Sequence, residues 1–324
     1  MIDRKNLSLD SMQNRLVIRG DDIKPQNIPL NGLAQVIITT NTTIQSHAIT
    51  LLAENGIPLV ILNPRSIKKT SLVYGVLHNH SQRRLNQYQL VYNELQKASL
   101  AKRLLQAKVM SQLRTLNQLK NNNKKHRFTL TKAIEQLQLL LVKAKQVAED
   151  LNIIRGLEGA CAAIYFGAYF GVFAPTLGLI KRVRRPATDP VNAILSLTYT
   201  LLYCECTNAL YSAGLDPMLG VLHEPYYGRA SLACDMSELF RAKLDLWVYQ
   251  LFNQGTLRIE QFSETDNLKL PCMLMKSGRK QYYSHWQTKV VALRKLLRKT
   301  AYSWARDYLN GDVSQLEITK KDFS

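Results

Sequence analysis

Short apolar runs separated by polar or turn-forming residues open the chain: RLVIRG (15–20), AQVIITT (34–40), IPLVILN (57–63) and SLVYGVL (71–77). Brief runs rich in Val, Ile and Leu and bounded by such breaks predict β-strands. Between the second and third, SHAITLLAENG (46–56) predicts a short helix stopped at Gly56. From Ser81 the period changes: SQRRLNQYQLVYNELQKASLAKRLLQAKVMSQLRTLNQLK places apolar residues three and four apart, which predicts helix. NNNKKHRF (121–128) interrupts the pattern, and TLTKAIEQLQLLLVKAKQVAEDL resumes it. Thr188-Asp189-Pro190 reads as a helix start, with proline in the first turn, and the helix runs to Gly214. Further helices are expected over about 230–253 and 284–309, the last one basic. The pattern predicts an α+β protein: a small β-rich N-terminal domain (1–77), a connection (78–89) and a larger all-α domain (90–324).

One segment has two readings. GACAAIYFGAYFGVFAPTLGLI (159–180) carries no formal charge and is followed at once by KRVRR. Its length and basic flank fit a membrane span. Pro175, the many glycines and alanines, and Glu158 at its start fit the buried central helix of a large helical domain equally well.

Composition narrows the partners. Forty-three basic residues against 24 acidic ones give a net charge of +19, and nearly half of the 324 residues are hydrophobic. Such a surplus repels itself in a compact fold, so it points to a polyanion, nucleic acid first and an anionic membrane surface second. The five cysteines, at 161, 204, 206, 234 and 272, have neither an even number nor a framework spacing and read as reduced thiols of a cytosolic protein. The N-terminus lacks the apolar stretch of a signal peptide.

Three places carry features that a core does not require. In IIRGLEGACAAIYF, Glu158 would be costly to bury against apolar surface unless it is paired or bound to a cation; a helix dipole or Arg155 could also satisfy it. In LHEPYYGRASLACDMSEL (222–239), His223 precedes a helix whose stripe of Leu232, Met236, Leu239, Phe240, Lys243 and Trp247 puts Asp235 at its edge and Glu238 further towards solvent. KRVRRPATDP (181–190) is a basic run ended by a proline turn, suited to gripping phosphates with arginine forks. Together these residues describe a hard-cation site on a basic surface. Carboxylates suit magnesium or manganese, and an imidazole tilts the choice to manganese. Spacing alone leaves a metal-dependent nuclease and a non-catalytic basic DNA-binding scaffold both open.

The order RGLEGACAAIYF, RRPATDPVNAILSLTYTLL and AGLDPMLGVLHEPYYGRASLACDMSELFR resembles the CRISPR-associated integrases, the Cas-one family, and IPLNGLAQVIITTNTTIQSHAITLLAENGIPLVIL with RRLNQYQ resembles that family's first domain and interdomain region. The resemblance spans about residues 15–250. It implies a homodimer of chains, each with a β-rich domain and an α-helical catalytic domain, joined to a small Cas-two companion in a heterohexamer in the cytoplasm of a prokaryote, away from the membrane. It implies an endonuclease and integrase that inserts short DNA fragments (prespacer duplexes) at the leader–repeat boundary of a CRISPR array by 3′-hydroxyl attack on a phosphodiester. Its three metal ligands map onto Glu158, His223 and Glu238, binding Mg2+ or Mn2+, with Asp235 beside the site. Glutamate at 238 departs from the aspartate that many members carry there. Asn192 falls in a family block near the site, and Arg84, Arg155, Arg182, Arg184, Arg185, Arg229 and Arg241 are the expected DNA contacts. Under this resemblance 159–180 is a buried helix with Glu158 at its rim. A related transposase-like integrase of a mobile element would share the same metal site.

Overall fold

The structure is a computed structural model that describes residues 1–21, 23–62, 70–75, 81–179, 181–183, 186–263 and 271–310. The chain divides into two compact units, Met1–Asn79 and His80–Ser324. The first is strand-rich and the second helical, as the two periods in the sequence require.

In the first unit, β1 (Leu7–Met12), β2 (Arg15–Gly20), β3 (Ile23–Pro29) and β5 (Thr42–Ile44) form a sheet of order β3-β2-β1-β5. β4 (Val36–Ile38), β6 (Leu59–Ile61) and β7 (Ser71–Val73) form a second sheet in that order. β1 and β2 are a hairpin pairing Met12 with Arg15. The two intervening residues, Gln13 and Asn14, both have positive φ (50° and 58°), the twist that a two-residue hairpin turn needs. α1 (Ser46–Glu54) covers the sheets, burying Ala48 and Leu52 beside Leu9, Leu16, Ile38 and Leu59. Gly56, at φ +63°, takes up the left-handed turn after it. The expected strand at 15–20 is present with those bounds, and those at 34–40, 57–63 and 71–77 are present in shortened form. β1, β3 and β5 were not anticipated.

In the second unit, α3 (Glu94–Asn122) packs against α4 (Arg127–Gln146), α5 (Leu151–Phe170) and α7 (Ser231–Asn253). α6 (Pro190–Ser212) lies between α7 and α8 (Lys276–Asn310), and α2 (Ser81–Tyr92) packs on α3 and α8. The segment 78–89, expected as a connection, therefore contributes most of a helix of the second unit. α8 begins eight residues earlier than its periodicity indicated.

The uncharged run 159–180 is not one helix. α5 starts at Leu151, capped by Asp150, whose carboxylate accepts the Asn152 and Ile153 amides at 2.7 and 3.1 Å. It ends at Phe170, and Pro175 opens a separate 3-10 turn. Glu158 thus stands two turns inside α5 rather than at a helix start, so the dipole of a helix N-terminus does not account for it. Among the described residues no helix is long and apolar enough to cross a membrane. The five cysteines are free thiols, four of them buried.

Candidate metal centre

α3 brings the two acids together. Ile154, Leu157, Cys161, Tyr165 and Ala168 form the buried stripe of α5, and Glu158 lies at the edge of that stripe with its side chain 30% exposed. α7 is buried almost all round, because α3 packs on one side and α6 on the other. That overturns the expectation that Glu238 faces solvent: it is 5% exposed, and Asp235 is fully buried rather than at a stripe edge. From the intervening α3, the Lys108 ammonium donates to Glu158 Oε1 and lies 2.7 Å from Glu238 Oε2. The Arg241 guanidinium, one turn along α7, donates to Glu238 Oε1. Burial alone would raise the Glu238 carboxyl, but Arg241 and Lys108 outweigh it and hold it at about 2. Burial likewise disfavours the Lys108 ammonium, and the two carboxylates more than compensate, raising its pKa. At neutral pH these side chains carry two negative and two positive charges.

His223 is placed by backbone geometry. The Asp235 carboxylate accepts the amides of Val221 (2.6 Å), Leu222 (3.2 Å) and His223 (2.9 Å), and its Oδ1 stands 2.7 Å from His223 Nδ1. An ionised carboxylate only accepts, so Nδ1–H is the donor, and Nε2 is the ring nitrogen left for another partner. Such a carboxylate–imidazole pair fixes the tautomer and orientation of a ligating histidine. His223 is close enough to Glu238 for its charge to favour the ionised carboxyl. Gly220 makes the turn possible: a Cβ there would collide with the His223 carbonyl and with Ser231 at the start of α7. Gly220→Ala is expected to lift this segment off Asp235 and cost about 1–3 kcal/mol, read as a drop in urea midpoint.

Among the described residues no three His, Cys, Asp or Glu side chains already stand close enough to enclose an ion. The donor chemistry nonetheless fits one. Two carboxylates from different helices converge on a single cation, the Lys108 ammonium, near the His223 imidazole, a set of oxygen and nitrogen donors of the kind a hard metal takes. Cys161 is one turn beyond Glu158, but burial pushes its thiol up to about 11, so it offers no thiolate.

The arginines expected to contact DNA separate into groups. Arg155 does not pair with Glu158. It donates to the Leu222 carbonyl at 3.1 Å and to Glu224 at 2.7 Å, pinning the strand that carries His223. Arg229 donates to the Glu224 carbonyl and, at 3.2 Å, to Ser231 Oγ. Both border the loop 224–228, whose Tyr227 is 99% exposed. Arg182 is turned inward on α6, donating to Asn192 Oδ1 (2.7 Å) and Ser196 Oγ (3.2 Å) and lying over the Tyr199 ring, so it does not form an outward strip. Arg241 is spent on Glu238 and lies over the Tyr199 ring, 5.0 Å from its centroid. Arg84 lies on α2 beside Tyr88, which reaches Asp216. Arg184 and Arg185 lie outside the described residues. Asn192 is fully buried and ties Lys181 and Val183 to Asp189.

Sequence reasoning missed Lys108, Tyr199 and Asp245. The Asp245 carboxylate, fully inside α7, accepts Tyr165 OH at 2.9 Å and Tyr199 OH, and burial lifts it to about 6 against those bonds. The available signal was charge in an apolar register: Lys108 follows Leu104 by one helical turn, and Asp245 follows Arg241 by one.

Comparison with known proteins adds the lineage. The family described as CRISPR associated protein Cas1 matches residues 1–288. The CRISPR-associated endonuclease Cas1 1 of Thermodesulfovibrio yellowstonii is 34% identical over 308 residues, covering 95% of this chain and 96% of that protein. Among solved structures, a chain of a Cas6-RT-Cas1–Cas2 complex superposes with TM-score 0.84 at 24% identity, over 99% of this chain and 36% of that longer one. A casposase bound to integration product superposes with TM-score 0.79 at 19% identity, over 99% and 96% of the two chains. The family match over most of its length and the 34% identity to that endonuclease show that the chain belongs to the CRISPR-associated Cas1 family.

Proposed function

We propose that this protein is a divalent-metal-dependent DNA strand transferase and endonuclease of CRISPR adaptation. It joins the 3′-hydroxyl of a short duplex to a phosphodiester at the leader–repeat boundary of an array. The observation that carries this reading is the convergence of Glu158 and Glu238, from α5 and α7, on one cation beside an imidazole oriented by Asp235. Family membership supports it, and the names of the relatives as endonucleases agree with it. Glu158, Glu238 and His223 Nε2 would hold Mg2+ or Mn2+. That ion, when bound, supplies Lewis-acid stabilisation of charge on the phosphate and lowers the pKa of the attacking hydroxyl.

The chain's own groups do the rest. Asp235 holds the His223 ring by its Nδ1 and so fixes its orientation. Arg155 and Arg229 hold the 222–231 segment rigid and, with their partly exposed guanidiniums, offer the phosphodiester a positively charged flank. The small companion subunit is supported by the Cas2-containing neighbour, and the working unit is a homodimer acting with that companion in the cytoplasm of a prokaryote. A second reading, an integrase of a mobile element, is favoured by the likeness to the casposase.

The test is strand transfer into a supercoiled repeat plasmid, with and without companion subunit and EDTA. Joined product that needs metal, the repeat and the companion supports the proposal. Joining independent of the repeat supports the mobile-element reading, and a metal-independent outcome overturns both. DNA affinity should fall steeply between about 50 and 200 mM salt, as phosphate contacts release counterions. A flat salt profile would contradict the role given to the net charge of +19.

A further inference from the structure

Lys108 is unusual among the 43 basic residues: its side chain is 8% exposed, and its ammonium faces both acids of the candidate centre. A helix interior accepts a buried ammonium only if carboxylates are waiting for it. The converse holds as well. Without an internal cation, Glu158 and Glu238 would be two like charges converging in a mostly dry space, and they would splay or protonate. One further feature stands on the same helix. Gln112 is 3% exposed, and its side-chain carbonyl oxygen has no hydrogen-bond partner, an arrangement that buried acceptors rarely tolerate. It sits four residues after Lys108, so the two side chains are neighbours on one face of α3, about 5–6 Å apart at Cβ.

We propose that Lys108 is a displaceable internal cation of the centre: its ammonium holds Glu158 and Glu238 in register while no divalent ion is bound, and moves to the vacant Gln112 carbonyl when one binds. This rests on the metal-centre reading above and deepens it. Lys108 is a positioning residue in the resting protein and a competitor during loading. The charge argument gives the sign. A divalent ion placed between the two carboxylates meets the Lys108 ammonium that bridges them, besides the Arg241 guanidinium on Glu238, a repulsion that stays substantial even at the effective dielectric of a protein interior. The Gln112 carbonyl lessens that repulsion by giving the ammonium an acceptor away from the acids.

The experiment uses the full chain and Mn2+ alone, with affinity read by calorimetric titration and stability by thermal unfolding of the metal-free protein. Lys108→Met is expected to bind Mn2+ about tenfold more tightly, since a like charge is gone. It should also melt at lower temperature without metal and regain more on adding it. Gln112→Leu is expected to bind Mn2+ several-fold more weakly, and to have no effect when combined with Lys108→Met, because the displaced group is then absent. Unchanged or weaker Mn2+ affinity in Lys108→Met overturns the proposal, as does a Gln112→Leu effect that survives in the double variant. If Lys108→Met does not fold, unchanged affinity in Gln112→Leu alone overturns it. Glu238→Gln serves as the control for the centre. If neither the wild type nor Lys108→Met binds Mn2+, the metal-centre reading falls too, whereas wild-type binding that Glu238→Gln removes and Lys108→Met leaves unimproved rejects only the role given to Lys108.

Discussion

Glu158→Gln and Glu238→Gln are expected to lose strand transfer to the same depth and folding stability to very different depths. Each exchange removes one carboxylate from the centre and keeps the side-chain shape. Activity should fall about three orders of magnitude or more in both, equivalent to about 4 kcal/mol of transition-state stabilisation. DNA binding should persist, because neither acid contributes to phosphate attraction. Stability separates the two. Glu238 is 5% exposed and faces Lys108 and Arg241, so its amide leaves two largely enclosed cations short of a counter-charge, at a cost of about 3–5 kcal/mol. The Glu158 side chain is 30% exposed, and water takes over much of what it gave Lys108, so the loss should stay near about 1 kcal/mol. Strand-transfer assays beside urea unfolding read both quantities. Near-wild-type joining by a folded Glu158→Gln protein would remove it from the centre.

Asp235→Ala should be the most damaging substitution for the fold around the site. One fully buried carboxylate accepts three consecutive amides and the His223 ring. Each amide left without a partner in the interior costs about 1–3 kcal/mol, so a total of about 3–5 kcal/mol is expected after some relaxation. Asp235→Asn should behave differently. The amide fills the same space and keeps one accepting oxygen, but it turns an NH2 towards groups that are themselves donors. His223 then loses the partner that fixes its Nδ1–H tautomer, and strand transfer should drop about 10- to 100-fold at a smaller stability loss. If Asp235→Asn kept full activity while Asp235→Ala merely unfolded, Asp235 would be a packing element with no bearing on His223.

Much of this was legible in the sequence because the two units use different periods. A three- and four-residue apolar spacing specifies α6 and α7 almost to their ends, but it runs α2 and α3 together across Asn93. β1, β3 and β5 escaped notice for separate reasons. β1 buries only Leu7 and Leu9 on one face, β3 is largely exposed and contains Pro25, and β5 has three residues. The Gln13–Asn14 turn lacks the glycine that flags a tight hairpin. Glu158, His223, Asp235 and Glu238 could be singled out as candidates from the sequence, but their surroundings could not be read there. Burial of α7 on its polar side depends on α3 and α6 arriving from distant parts of the chain. Lys108 looked like one more base on a basic helix, because nothing local distinguishes a lysine that points to solvent from one that points at two acids. The internal partners of Arg182 and Arg241 were hidden from the sequence in the same way.

The helical unit also runs on past the end of the family match. The family match stops at residue 288, yet α8 continues to Asn310, burying Leu297, Ala301 and Trp304. From this later stretch Arg294 forks onto Glu205, at 2.8 and 2.6 Å, and Glu205 is itself only 4% exposed within α6. A fragment cut to the matched region would keep every group of the centre while stripping the guanidinium from an acid in the helix that flanks α7. Its failure would then read as a defect of catalysis when the cause was a missing buttress.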